Sequence, residues 1–480
     1  FDFMLSNPPY GKSWASEQKY IKDGKDVIDS RFIVNLADYW GNRSDVDATP
    51  RSSDGQLLFL MEMVGKMKPS SSNGIGSRIA SVHNGSSLFT GDAGGGESNI
   101  RRYIIENDLL DAIIQLPNNL FYNTGITTYI WLLSNNKAQN RKGKVQLIDA
   151  NDLYSKLRKN LGDKNCELEP KHISKIMEIY SKFENCDDEI DGKKISSKIF
   201  DNSDFGYYKV QIERPKRLKA QFRDDLIETL KYDKTLEEAM IWCEQEYKEE
   251  CYNDLTKYKK AIEEHLDKND IELNTKQLKS LLSKELWKKH KMLVDTAKLL
   301  KEKIGTTTYD DFNIFKEKVE KILKEHKLSL SASEKNMILN AVSWYDETAQ
   351  KVIKKISKIS GDKLEKLCEN FGCEENELCD FGYYPTGKKD EFVEYESDTD
   401  LRDSENIPLK DDIYKYFLKE VKPHVQEAWI NLDSTKIGYE ISFNKYFYTH
   451  KPLRSLEEVG KDIVELENAS DGLIKEILGL

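Results

Sequence analysis

Asn7-Pro8-Pro9-Tyr10 puts an amide side chain, a carbonyl and an aromatic ring at the end of a short apolar stretch, Phe1-Asp2-Phe3-Met4-Leu5. The two prolines fix their own φ angles and carry no N–H, so the backbone after Asn7 is stiff and cannot extend a sheet ladder. They also bias Asn7 and Pro8 away from the helical region. The expected result is a rigid loop at the carboxyl end of a strand, where open α/β sheets place their ligands. Such a trio suits methylation of an exocyclic base nitrogen. The amino group of adenine is a poor nucleophile because its lone pair is delocalised into the ring. The Asn7 side-chain oxygen and the Pro8 carbonyl can each accept one of its N–H groups, leaving the lone pair aimed at an incoming methyl group. That is positioning and electrostatics, with no strong base. A base within a duplex must first be flipped out, and Tyr10 can stack on it. The structural alternative for the same four residues is a proline-stiffened strand exit with a packed tyrosine.

The elements that would position this loop can be read in order. Residues 11–55 are polar and irregular, with Lys12, Trp14, Lys19, Lys22 and Lys25 close behind the motif, placed either to touch phosphate or to form a solvated loop. Gly55–Lys68 reads as a largely buried helix that would cover a sheet. Pro69–Gly76 is a loop and Arg78–Val82 a strand; His83 at its end reads as structural. The run Gly91–Gly96 lacks both GxGxxG spacing and the Walker Lys-Ser/Thr, and reads as a flexible loop. Ser98 or Asn99 is expected to cap a helix over Ile100–Asn107. Strands follow at Ala112–Pro117, Thr127–Leu133 and Lys144–Asp149.

Several separate motifs carry a family resemblance. They are Asn7-Pro8-Pro9-Tyr10, Ile100-Arg101-Arg102-Tyr103, Leu116-Pro117, Leu120-Phe121-Tyr122-Asn123-Thr124-Gly125-Ile126, Phe205–Pro215, Asp400–Leu409 and Gly438–Tyr448. In this order they resemble the modification (M) subunit of type I restriction-modification systems, which methylates adenine N6 in DNA. The implied fold class is α/β: the C-terminal half of a Rossmann-like methyltransferase sheet, with its antiparallel edge strand, followed by a mainly α-helical region. The resemblance implies catalytic roles for Asn7, Pro8, Pro9 and Tyr10. It also implies a flipped-base pocket of Tyr10 and Phe121, with Tyr122 as the alternative wall; Phe121 read alone could equally be core. The implied cofactor is S-adenosylmethionine. Its glycine-rich turn and ribose-binding acid precede the Asn-Pro-Pro-Tyr strand in such enzymes, so they are expected upstream of residue 1, with Asn7 able to line that pocket. The chain therefore reads as a fragment, inactive by itself. Implied partners are DNA, a specificity subunit and a restriction nuclease subunit.

Composition bounds these readings. A chain of 480 residues should hold more than one domain. The net charge of −11 argues against an autonomous DNA-binding protein, though not against a subunit that borrows DNA affinity from partners. No run is long and apolar enough to span a membrane, and no signal peptide opens the chain. Seven cysteines without a CxxC pair or a nearby histidine at zinc spacing read as reduced thiols rather than a metal site, in a cytoplasmic protein. Between Pro215 and Gly372, Lys, Glu and Leu at helical spacing predict long charged helices, including Leu236–Leu266 and Phe315–Glu325. A terminal amphipathic helix over Ser455–Ile477, with Leu456, Val459, Ile463, Val464, Leu466, Ile474 and Ile477 on its apolar face, could pack at home or on a partner. The expected division is a catalytic half-domain at 1–150, an extension at 151–235, a helical insertion at 236–375 and a subunit-contact segment at 376–480. Two other functions fit less of the chain: a single-chain restriction-modification adenine methyltransferase, and a non-catalytic assembly module.

Overall fold

At the centre of the first part of the chain is a seven-stranded mixed sheet. The structure, a computed structural model, describes residues 1–70, 74, 76–122, 124–448 and 455–478, with side chains in the last helix described through Leu466 and at 468 and 470. Asn123, part of the loop predicted at 69–76, and the side chains of Ile474 and Ile477 lie outside the described residues. The chain forms two units, one of Phe1–Lys209, Pro408–Asp411 and Lys436–Leu480, the other of Val210–Ile407 and Asp412–Thr435.

In the first unit the elements are β1 (Phe3–Ser6), β2 (Ile33–Ala37), β3 (Arg43–Asp47), α1 (Gln56–Gly65), β4 (Arg78–Asn84), α2 (Gly96–Glu106), β5 (Leu110–Gln115), β6 (Thr128–Ser134), β7 (Lys144–Asp149), α3 (Pro170–Lys182), β8 (Cys186–Ile190) and β9 (Lys193–Asp201). The sheet order is β1-β4-β6-β5-β7-β9-β8. β1 and β4 run parallel, as do β5 and β7, and β6 is antiparallel to both neighbours. The expected α/β half-sheet is present, with one correction: the antiparallel strand β6 is interior. Its residues Thr128, Tyr129, Trp131 and Leu133 are buried, so it belongs inside the sheet. The far edge is instead a charged hairpin, β8–β9, whose exposed Asp187, Asp188 and Glu189 suit an edge.

One face of the sheet carries Ile79, Trp131 and Leu133 against α1 and α2. Ile100, Ile104 and Ile105 of α2 are fully buried, which places one stripe of the helix on the sheet and contributes about 2 kcal/mol per side chain. On the opposite face Ile114 and Ile148 pack with Ile176 and Ile179 of α3.

Two further expectations change. Residues 11–55 hold an antiparallel hairpin, β2–β3, whose Val34 and Leu36 are buried beneath polar partners on the other face. The glycine run is an ordered approach of backbones rather than a flexible loop. α2 begins at Gly96 with Gly95 as its cap, and a Cβ on Gly96 would stand 1.7 Å from the Thr49 carbonyl oxygen, so only glycine fits. Ser98 and Asn99 are therefore inside the helix, where they accept from the Tyr439 N–H and donate to the Asp47 carbonyl. Arg101, fully buried, donates to the carbonyls of Ser87, Thr90 and Tyr439.

The second unit is mainly helical. Its elements include α4 (Glu237–Tyr247), α5 (Lys284–Ile304), α6 (Phe312–Glu325), α7 (Ala332–Ala341), β10 (Ile353–Lys358), α8 (Asp362–Phe371) and β11 (Glu391–Tyr395). The single helix expected over 236–266 is broken. Lys248 takes φ +45° and the chain folds back, so that Trp242 stacks on His265 and Tyr247 on Tyr258 around buried Cys243 and Cys251. Hydrophobic burial on two sides of the break outweighs local helix propensity. A terminal helix, α9 (Leu456–Leu478), returns to the first unit's share of the chain.

Candidate active site

β1 delivers the motif to the carboxyl end of the sheet. Its last residue, Ser6, pairs with Ser81 of β4, and the prolines then end the ladder. Pro8 is buried, Asn7 and Pro9 are exposed, and Tyr10 is half-buried, with burial raising its phenol above the ordinary value. Among the described residues neither the Asn7 side chain nor the Pro8 carbonyl has a hydrogen-bond partner within the chain. Two unpartnered acceptors thus belong to adjacent residues on a stiff backbone, and each can accept one N–H.

A group that sequence reasoning missed holds the loop in place. The Gly11 N–H donates to Asp54 Oδ1 at 3.1 Å, and the Gly55 N–H to the Lys12 carbonyl at 3.1 Å. Asp54 Oδ2 also accepts from Gln56 Nε2 at 2.7 Å and from Ser86 Oγ at 3.0 Å. Gln56 Nε2 reaches Asn84 Oδ1 at 2.6 Å. The exit of β1, the entry of α1 and the exit of β4 are thus joined through one buried carboxylate. The sequence signal was there: Asp54 and Gln56 are polar residues at the mouth of an apolar helix, and Asn84-Gly85-Ser86 leaves the neighbouring strand. His83 belongs to the same group as a structural residue, as expected. It is fully buried, its Nδ1 lies 3.1 Å from Gln56 Oε1, and burial depresses the imidazole to about 3. Gln56 Oε1 can only accept, so Nδ1–H donates and the neutral ring leaves Nε2 without a partner.

The residues behind the motif separate into two kinds. Trp14 is buried, with its Nε1–H donating to the Arg51 carbonyl at 2.9 Å, and Lys22 pairs with Asp47 at 2.5 Å. Lys12, Lys19 and Lys25 remain exposed.

The aromatic segment after β5 lies on the same edge of the sheet, because β5 runs parallel to β1 through the alternation at β6. The two exits are three strand spacings apart, about 14 Å. The segment is held by its own contacts. Asn119 Nδ2 donates to the Asp163 carbonyl at 3.0 Å, Lys164 Nζ to the Leu120 carbonyl at 2.9 Å, and the Asn165 N–H to the Asn119 carbonyl at 3.1 Å. Phe121 packs, half-buried, on the core that contains Ile114, Leu116 and Ile148. Tyr122 is 64% exposed, with the Lys164 ammonium 5.7 Å from its ring centre. Topology brings Tyr10, Phe121 and Tyr122 to one edge; among the described residues it does not put their rings in contact.

The residues present do not form a cradle for a nucleoside cofactor. Among the described residues, β1 exits into prolines, β4 into Asn84-Gly85-Ser86, β5 into Leu116-Pro117 and β7 into Ala150-Asn151-Asp152, so no parallel strand of the sheet leads into a glycine-rich turn. No group of three or more His, Cys, Asp or Glu residues among them could hold a metal ion, and no helix among them is long and apolar enough to cross a membrane.

The Asn7 side chain and the Pro8 carbonyl thus lie unpartnered at the carboxyl edge of an α/β sheet. Residues 1–205 match the family described as N-6 DNA Methylase. It is 28% identical over 191 residues to the type I restriction enzyme MjaIX methylase subunit of Methanocaldococcus jannaschii, covering 39% of this chain and 29% of that protein. It is 29% identical over 181 residues to the MpnII methylase subunit of Mycoplasma pneumoniae, covering 38% and 28%. The chain thus spans less than a third of the length of these relatives. Among solved structures, a type I restriction-modification methyltransferase subunit from Streptococcus thermophilus aligns at TM-score 0.30 and 24% identity, over 42% of this chain and 34% of that one.

Proposed function

We propose that this chain is part of an adenine-N6 DNA methyltransferase, the modification subunit of a type I restriction-modification system. The observation that carries the reading is the pair of unpartnered acceptors, Asn7 Oδ1 and the Pro8 carbonyl, on a proline-stiffened exit within the N-6 DNA methylase region. In this reading the amino group of a flipped adenine donates one N–H to each acceptor. That geometry disfavours delocalisation of the nitrogen lone pair, and the reaction needs no strong base at the site. Tyr10 stacks on one side of the base, and the Phe121–Tyr122 segment closes the other. Pro9 keeps the turn rigid. The methyl donor is S-adenosylmethionine, and Asn7 lines its pocket.

DNA sequence would be read by a specificity subunit, with a restriction subunit completing the assembly in the cytoplasm. The acidic balance of the chain fits a subunit that gains DNA affinity from its partners. Helix α9 supports a partner contact: Leu456, Ile463, Val464 and Leu466 are each more than half exposed. The same exposed stripe favours the second reading, an assembly module without catalysis.

Calorimetric titration of S-adenosylmethionine into this chain, and into a version extended at its amino end to the relatives' length, tests the proposal. Binding by the extended version alone, with methylation of adenine in DNA once a specificity subunit is added, is the expected result. Binding by the chain alone would mean the cofactor site has been misplaced. Assembly with the specificity subunit but no cofactor binding by either version would leave the assembly module as the function.

A further inference from the structure

The second unit contains a cavity of about 600 Å³, in the range of small-molecule sites, and its walls combine aromatic rings with carboxylates. One wall depends on a single glycine. Gly382 has φ +88°, and a Cβ there would stand 3.0 Å from both Cδ1 and Nε1 of Trp429, so only glycine lets the indole lie against the backbone. Trp429 is 7% exposed, and Phe371 stacks on Phe381 at 4.7 Å and approaches Tyr383 at 6.0 Å. Tyr395, on β11, adds another ring.

The charges on this cavity are unequal. At its base Glu213, 2% exposed, is matched by Arg402 at 3.1 Å and accepts from Asn431 Nδ2 at 3.4 Å. Glu394 pairs with Lys355 at 3.2 Å. Glu396 and Asp433 have no ion pair among the described residues, and the only lysine or arginine among the lining residues is Lys354, which is exposed. Glu394 and Asp433 both add to the effect of burial in raising the Tyr383 hydroxyl, so their charge is directed at the same ring.

This combination selects among ligand chemistries. Phosphates, nucleic acid and carboxylates would meet unmatched negative charge. A purely apolar ligand would strip water from Glu396 and Asp433 without replacing it. A cation on an aliphatic stem satisfies both parts of the lining, with the stem on the rings, the charge over a ring face and its hydrogens on the carboxylates. We propose that this cavity binds an organic cation, a guanidinium or alkylammonium group carried on an aliphatic chain. The proposal concerns the second unit alone and is independent of the methyltransferase reading.

Two sources share this chemistry, a free polyamine and an arginine or lysine side chain of another protein. The test titrates the whole chain with agmatine by calorimetry, with glutarate as the anionic control. Saturable one-to-one binding of agmatine, and none of glutarate, is expected. The double variant Glu396→Gln with Asp433→Asn, both on the rim, should weaken agmatine binding by about tenfold or more without moving the thermal midpoint. The single variant Lys354→Gln should leave binding intact or strengthen it, and serves as a second check on the sign of the charge effect. Failure of agmatine to bind, equal binding of glutarate, or affinity untouched by the double variant would overturn the proposal. Within the supporting outcomes, tighter binding of spermidine assigns a free polyamine, and tighter binding of acetyl-Gly-Arg-Gly-amide assigns a protein side chain.

Discussion

Two loops leave the same edge of the sheet and use their residues in opposite ways. The exit of β1 ties down its backbone, through Gly11 to Asp54 and Lys12 to Gly55, and leaves the polar groups of Asn7 and Pro8 unpartnered. The exit of β5 ties down Asn119 and Leu120 through the 163–165 turn and packs Phe121, half-buried, against the core. One loop is stabilised so that its polar groups can stay free; the other is stabilised partly by the side chain that the family resemblance assigns to the base. Under the proposed function, chemistry and packing are separated at the first exit and overlap at the second.

The sharpest test of the first half of the comparison is Asn7→Ala in the extended, assembled enzyme. An exposed asparagine without partners contributes little to stability, so folding and complex assembly should persist. In the proposed mechanism Asn7 is one of two acceptors that orient the amine, so its loss should lower the methylation rate by about 100- to 1,000-fold, by analogy with removal of one oriented donor from an oxyanion site. Methylation of DNA at an unchanged rate would remove Asn7 from the chemistry and with it the distinction between the two exits.

Asp54→Ala tests the tie rather than the acceptors. It strands the Gly11 N–H and takes one acceptor from the Gln56 amide and the Ser86 hydroxyl, which keep Asn84 Oδ1, at a site where Asp54 is 5% exposed. The expected loss is about 3 kcal/mol in the denaturant midpoint at neutral pH, together with a lower methylation rate. Asp54→Asn keeps an oxygen for Gly11 and should recover part of both. A variant with full activity and normal stability would mean that the prolines alone hold the loop.

The second exit can be divided residue by residue. Phe121→Ala should cost about 2 kcal/mol of stability, because the ring packs on Ile114 and Leu116. Tyr122→Ala should leave the unfolding midpoint unchanged and weaken binding of DNA with a flipped or missing base partner by about 1–3 kcal/mol, if its exposed ring is the one that stacks. The reverse pattern would give Phe121 the base-holding role and make the two exits alike.

Much of this edge was legible in the chain, for identifiable reasons. Proline restricts φ and removes a donor wherever it occurs, so Asn-Pro-Pro-Tyr announced a rigid exit without any tertiary information. β7 was read with the bounds it has, because Val145, Leu147 and Ile148 form a short apolar run between turn residues. What could not be read depended on groups distant in sequence. Gly96 is required by the Thr49 carbonyl, 47 positions away, and Gly11 is held by an aspartate 43 positions on. The interior position of β6 depends on which strands flank it, and local composition carries no record of strand order. The break at Lys248 depends on rings meeting across a hairpin, Trp242 on His265 and Tyr247 on Tyr258. Asp54 was passed over because a lone aspartate before a helix looks like many others until its partners are known.

Over the pH range that urea unfolding would sample here, the smallest expected effect concerns the histidine beneath the first exit, and its sign follows from its burial. His83 is neutral in the folded protein, with its pKa depressed to about 3, while in the unfolded chain it takes a proton near 6.5. Between these values the unfolded state binds one more proton than the folded state, so stability falls as pH falls. The slope is about 1.4 kcal/mol per pH unit, beginning below pH 6.5 and ending near pH 3, with no contribution above 6.5. Urea unfolding at pH 7.5, 6.5 and 5.5 should show little change over the first interval and a loss approaching 1 kcal/mol over the second, where protonation of the unfolded chain is only becoming complete. A His83→Gln variant should remove that part of the acid limb while the carboxylates elsewhere keep theirs. If the limb is unchanged in the variant, His83 is protonated in the folded state. Its Nε2–H would then face a buried position without an acceptor, and the group that holds Asn7 in place would carry a charge that its geometry does not accommodate.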